Sequence, residues 1–187
     1  MLRHKAYKFR IYPTKEQEIF IAKTIGCSRF VYNHFLHRWN TTYAKTGKGL
    51  SYEACSALLP QMKQEEATCW LKEVDSTALQ SSLKNLADSF SRFFKKQNHR
   101  PKFKSKKNPV QSYTTKNVNN SIELKEKHVK LPKLKPRLAK QRTVGTTGIA
   151  WFIRETAVGK EIRQQVCSLP KNLVTLVMRG SKCFREN

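Results

Sequence analysis

The chain has 187 residues, enough for one ordinary domain or two small ones. Its 37 Lys and Arg against 13 Asp and Glu give a formal charge of +24, and self-repulsion on that scale points to a polyanionic partner: nucleic acid first, an anionic membrane surface second, a merely soluble basic protein third. The three Trp, six Tyr and ten Phe exclude a disordered basic tail, because they supply material for a core.

Taken in chain order, "KAYKFRIY" at 5–12 alternates and predicts a strand. Tyr7, Phe9 and Ile11 form its apolar face and Lys8 and Arg10 its cationic one. Thr14-Lys15-Glu16-Gln17 fits a capping box that opens a helix running to about Ile25. Gly26 predicts an interruption, and Ser28 can cap a second helix from Arg29 to about Lys45. Val31, Phe35 and Trp39, widened by Phe30 and Leu36, give that helix an apolar face, and Gly47 and Gly49 end it. The pair has the shape of a helix-turn-helix, a shape that most often means only two packed helices.

Ser51 starts a third helix, kinked or split at Pro60. Asp75 or Ser76 caps a fourth, reaching about Lys96. There Leu79, Leu83, Leu86, Phe90 and Phe93 step by four, three, four and three, the strongest periodic signal in the chain and a core stripe.

The texture changes at residue 98 to loop and short strands, and residues 101–140 carry 12 basic groups against 2 acidic. "IELKEKHVKL" predicts a hairpin, with Ile122 and Leu124 on one strand and Val129 and Leu131 on the other, ended by Pro132. The order strand, four helices, strands predicts an α+β fold in which a helical bundle is inserted between the first strand and the rest of a small β-barrel or sheet.

Candidate chemistry is confined to binding. In "RPKFKSKKN", Lys102, Lys104, Lys106 and Lys107 surround Phe103, suited to a phosphate backbone and a stacked or anchored ring. Gln111, Tyr113, Lys116 and Asn117 in "QSYTTKN" suit phosphate, ribose and base edges. The five cysteines are odd in number and lack C-x-x-C spacing, which argues against a disulfide framework or zinc ribbon and for reduced, mostly buried thiols. His34 and His37 stand three apart without a third ligand, so no metal or other cofactor is expected. The charged opening "MLRHKAYKFRIYP" is not a signal peptide, and "LVTLVM" at 173–178 is too short to span a bilayer, so no membrane partner is expected.

Six ordered motifs, "HKAYKFRIYPTKEQE", "RFVYNHFL", "WLKEVDSTALQSSLKNL", "PKFKSKKN", "QSYTTKN" and "VKLPKL", closely resemble the N-terminal half of the TnpB (OrfB) proteins of bacterial insertion sequences. The resemblance covers residues 1 to about 134. It implies an incomplete wedge-type β-barrel with an inserted helical, helix-turn-helix-like recognition bundle. The implied segments are a first wedge strand at 1–13, the helical insertion at 14–97, the remaining wedge strands at 98–134 and a divergent tail at 135–187. The family comprises RNA-guided DNA endonucleases encoded in transposons, so DNA and a guide RNA from the transposon end are the implied partners, in the bacterial cytoplasm and on the nucleoid when bound. By the same resemblance, Tyr52, Ser56, Ser76, Thr77, Gln80 and Asn119 are the candidates for reading a short duplex motif, with amide and methyl chemistry suited to A·T pairs. Family members carry Lys at the position of Ser76, which lacks the charge.

The nuclease of the family follows the wedge domain and needs three clustered carboxylates for metal. Here the last aspartate is Asp88, and beyond Leu134 the acidic residues are Glu155, Glu161 and Glu186. The expectation is therefore a truncated, non-enzymatic member, with a tail arising from a frameshift or from a module of its own. A stand-alone helix-turn-helix repressor and a decayed gene product without function are the alternatives. The tail shows no alternation leading back to the first strand, so residues 1 to about 134 are expected to hold the fold.

Overall fold

A computed structural model of the chain describes residues 4–108, 110–125, 128–142, 150–158 and 171–179, the side chains in part of the strands excepted. The fold is α+β and divides into two compact units, Lys23–Lys106 and Met1–Ala22 with Lys107–Asn187.

The helical unit begins within α1 (Lys15–Thr46). The capping box forms as expected: the Gln17 amide donates to Thr14 Oγ1 at 3.4 Å and the Thr14 amide to Gln17 Oε1 at 3.0 Å. The expected joint at Gly26 does not form, and α1 is a single helix of 32 residues. Thr24, Ile25, Cys27 and Ser28 on either side of the glycine are buried, and that packing outweighs a helical glycine's penalty of about 1 kcal/mol. Ser28, expected as a cap, lies mid-helix, its buried hydroxyl without a hydrogen-bond partner among the described residues. Gly47, at φ +67°, ends the helix with its amide donating to the Tyr43 carbonyl at 2.8 Å.

A methyl group at Gly26 would meet no atom within 4 Å. Gly26→Ala is therefore expected to raise stability by roughly 0.5–1 kcal/mol, read as a higher urea midpoint. Destabilisation would mean a turn at this position and restore the two-helix reading.

α2 (Tyr52–Gln64) is capped by Ser51, whose hydroxyl accepts from the Ala54 amide at 3.2 Å. It runs through Pro60 unsplit. A 3₁₀ segment, Glu66–Lys72, leads to α3 (Ser76–Phe94), capped by Asp75. One cluster unites the three helices: Val31, Phe35, Leu36 and Trp39 from α1, Leu59 and Met62 from α2, and Leu79, Leu83, Leu86 and Phe90 from α3. The predicted α3 stripe is thus the core, with Phe93 partly buried against it. Cys27 and Cys55 are buried free thiols and Cys69 is an exposed one, while Cys167 and Cys183 lie outside the described residues. Burial pushes the Cys27 thiol up to about 11, which keeps it unreactive.

The other unit is an antiparallel sheet. Its strands are β1 (His4–Tyr12), β2 (Val110–Lys116), β3 (Glu123–Leu124), β4 (His128–Leu131), β5 (Leu134–Arg142), β6 (Ala150–Val158) and β7 (Lys171–Arg179). They lie in the order β2-β7-β6-β1-β5-β4-β3. The predicted hairpin is β3–β4, with Leu124 opposite Val129. Pro132-Lys133 makes the next turn, with Lys133 at φ +59°.

Two expectations are corrected here. The order is open: among the described residues no pairing joins the edge strands β2 and β3, so the strands form a sheet and not a closed barrel. The tail is also part of the sheet. β1 pairs with β5 and β6, and β6 pairs with β7, which pairs with β2, so residues beyond 134 supply both neighbours of the first strand. A central strand needs backbone partners on both sides, and these satisfy it.

Candidate nucleic-acid interface

The basic segment after α3 lacks regular structure, yet it is bound to α1. Asn33 and Asn40 stand seven residues apart, two turns along one helix face. The Asn33 amide clamps the backbone of Lys104, accepting from its N–H at 2.8 Å and donating to its carbonyl at 2.9 Å. Arg100 Nη2 donates to Asn40 Oδ1 at 2.9 Å. The Lys104 ammonium stands 4.2 Å from the centre of the buried Tyr32 ring, a cation–π contact that contributes roughly 1–2 kcal/mol when desolvated. Desolvation lowers the Lys104 pKa below the ordinary lysine value, although the residue as a whole is exposed.

The strap sorts the four candidate lysines. Lys102, Lys106 and Lys107 are exposed cations, whereas Lys104 faces the helix. Phe103 is 57 % exposed, an open ring between lysines rather than an anchor in the core.

A second group lies along the α2/α3 seam. Lys84 Nζ stands 5.6 Å from the Tyr52 ring centre, and Lys63 Nζ donates to Ser76 Oγ at 3.0 Å. These contacts set the two helices antiparallel; on them Ser56 is half-buried and Gln80 exposed. Lys63 thus brings a cation to the Ser76 position, which by itself has none. Thr77 is engaged in the cap: its amide donates to Asp75 Oδ1 at 3.0 Å and its hydroxyl to Oδ2 at 2.6 Å.

In the sheet unit, Lys116 and Asn119 are exposed, and Asn119 sits in a turn at φ +51°. Gln111 donates to the Asn108 carbonyl at 2.7 Å, and Asn117 Oδ1 accepts from the Ile122 amide at 3.0 Å. Tyr113 is only 6 % exposed and lies in the core of the sheet. Lys8 and Arg10 stand opposite Arg154 and Phe152 in the β1–β6 register. The two-faced side-chain pattern expected of Tyr7, Lys8, Phe9 and Arg10 lies outside the described residues.

Asn33, Asn40 and Tyr32 escape a sequence reading. Their only local signal is two asparagines at helical spacing, and their partners are up to 71 residues away. His34 and His37 are exposed, and among the described residues no three His, Cys, Asp or Glu side chains are grouped to hold a metal. None of the described helices is long and apolar enough to cross a membrane.

Comparison with known proteins places this geometry in context. A family model described as a helix-turn-helix domain, that of the OrfB proteins of IS605-type elements, matches residues 1–48. A Streptomyces pristinaespiralis protein named "Putative RNA-guided DNA endonuclease" is 38% identical over 103 residues, 55% of this chain and 26% of its own length. The Escherichia coli (strain K12) protein named "Putative RNA-guided DNA endonuclease InsQ" is 35% identical over 106 residues, 57% of this chain and 26% of its own. "Virulence protein VsdF" of Salmonella dublin is 36% identical over 97 residues, 48% of this chain and 82% of its own. The chain therefore spans about a quarter of the length of the first two relatives and most of the third.

Proposed function

The chain belongs to the OrfB/TnpB family of insertion-sequence proteins, and on that premise we propose that it is a nucleic-acid-binding part of a transposon-encoded protein, engaging DNA and a guide RNA from the transposon end without cleaving either. The observation that carries this reading is the ordered strap, which presents Lys102, Lys106 and Lys107 beside an exposed Phe103 while α1 holds its backbone. A disordered lysine run would lose conformational freedom on binding, and a strap already fixed has less to lose.

In this reading the α2/α3 seam, with Tyr52, Ser56, Ser76, Thr77 and Gln80, meets a duplex motif. Lys8, Arg10, Gln111, Lys116 and Asn119 add contacts from the open sheet, which acts as an incomplete wedge-type platform. Nuclease chemistry belongs to the further length of the relatives, since two-metal hydrolysis needs anchored carboxylates. The protein acts in the bacterial cytoplasm, on the nucleoid when bound.

The test is binding of the purified chain to a fluorescent DNA duplex and to a stem-loop RNA across a salt series. The expected plot of log affinity against log salt falls steeply, by about 0.9 per phosphate neutralised on duplex. A flat plot, or no binding to either, would overturn the reading.

A further inference from the structure

Four aromatic rings in the helical unit form a row whose middle belongs to the core and whose ends reach the surface. Trp39 lies between Tyr43, with ring centres 5.2 Å apart and planes 11° apart, and Phe90, at 3.8 Å and 18°. Phe90 continues to Phe94 at 6.3 Å and 25°. The two middle rings are buried, but Tyr43 is 48 % exposed and Phe94 62 %. All four line one open cavity of about 560 Å³, together with Tyr52 and Gly49. Backbone makes part of its wall: a Cβ at Gly49 would stand 2.3 Å from the Trp39 indole, so any side chain there would displace the ring.

The charge around the cavity narrows the choice of occupant. The two segments that line it, residues 39–55 and 83–94, carry four basic residues, Lys45, Lys48, Lys84 and Arg92, against Glu53 and Asp88. Asp88 is paired with Lys84 at 3.3 Å, and the same ammonium stands over the Tyr52 ring at the cavity wall. An apolar peptide has no use for such a rim. A ligand with a flat π-face and an attached anion satisfies both parts: the face continues the aromatic row, and the phosphate meets the lysines.

We infer that this cavity is a stacking site for unpaired nucleobases of a single-stranded nucleic-acid segment, held by the exposed rings Tyr43 and Phe94 with its phosphates toward the basic rim. The site rests on the nucleic-acid reading above and adds to it a preference for unpaired strands. Stacking is tolerant of sequence, because every base has a π-face. A duplex, whose bases are already stacked, gains nothing from it.

The experiment compares the full chain with the double variant Tyr43→Ala, Phe94→Ala, both exposed positions, using dT10, U10 and a blunt duplex of mixed sequence. The wild type should bind one or both single strands, and the variant should bind them about 10- to 100-fold more weakly while duplex affinity stays within about twofold. Tyr43→Phe with Phe94→Tyr should restore single-strand binding, which a purely structural role for the hydroxyl or ring size would not predict. In parallel, photocrosslinking of wild type to 5-iodouridine-substituted U10 should map to Tyr43 or Phe94. Relative loss on dT10 and U10 tells which backbone the site prefers. Single-strand affinity unchanged in the double variant, or crosslinks confined to other segments, would overturn the site while leaving the duplex result standing. Failure to bind any of the three probes would instead remove the nucleic-acid reading on which it depends.

Discussion

Phe35→Ala is expected to destabilise the helical unit by about 3–5 kcal/mol, the range for removing a large aromatic ring from a closed core. Phe35 has no exposed surface and belongs to the cluster that joins α1 to α2 and α3. It is the largest fully buried side chain described. Val31, Leu36, Leu79 and Leu83 of the same cluster are themselves buried, and they extend from helices that cannot all collapse inward to refill the space. His37→Ala, two residues on and exposed, is the control and should lie within about 0.5 kcal/mol of the wild type. Urea titration followed by helical circular dichroism measures both. Equal midpoints for the two variants would mean that the α1 face is assigned wrongly.

The four strap lysines, changed together to Ala, should weaken duplex binding at every sequence. They should also flatten the salt plot by up to about 0.9 for each phosphate that is no longer neutralised. Their contributions should be unequal. Lys102, Lys106 and Lys107 are exposed, and each one that meets a phosphate releases counterions. The Lys104 ammonium lies 4.2 Å from the centre of the Tyr32 ring, so Lys104→Ala alone removes packing of the strap more than it removes a charge from the phosphate backbone. The triple variant should therefore account for most of the slope change, with Lys104→Ala lowering affinity while nearly preserving the slope. A slope carried by Lys104 and untouched by the other three would reverse the assignment of the strap's inner and outer faces.

Both effects depend on a distinction between local and distant information in the chain. Local sequence was enough to specify the capping box at Thr14, the α3 stripe from Leu79 to Phe93 and the hairpin from Ile122 to Leu131. Each is a relation between residues a few positions apart, and short-range hydrogen bonds and one-sided burial suffice for it. The basic segment 101–107 was legible as a binding candidate for the same reason, since charge density needs no partner within the chain.

Long-range packing settled the rest. Whether Gly26 breaks a helix depends on whether buried neighbours on both sides outweigh a backbone cost of about 1 kcal/mol, a balance that local sequence does not carry. Whether "PKFKSKKN" is a linker or a strap depends on two asparagines in α1, one of them clamping a backbone 71 residues away. Whether Tyr113 is buried depends on which neighbours its strand finds, and β7 pairs with it from residues 171–179. In the same way β1 finds β5 and β6 only through the tail, where the alternation gave no sign of a partner. Strand pairing is made by backbone groups that every residue carries, so its choice is written in long-range geometry and burial rather than in the pattern of any one segment.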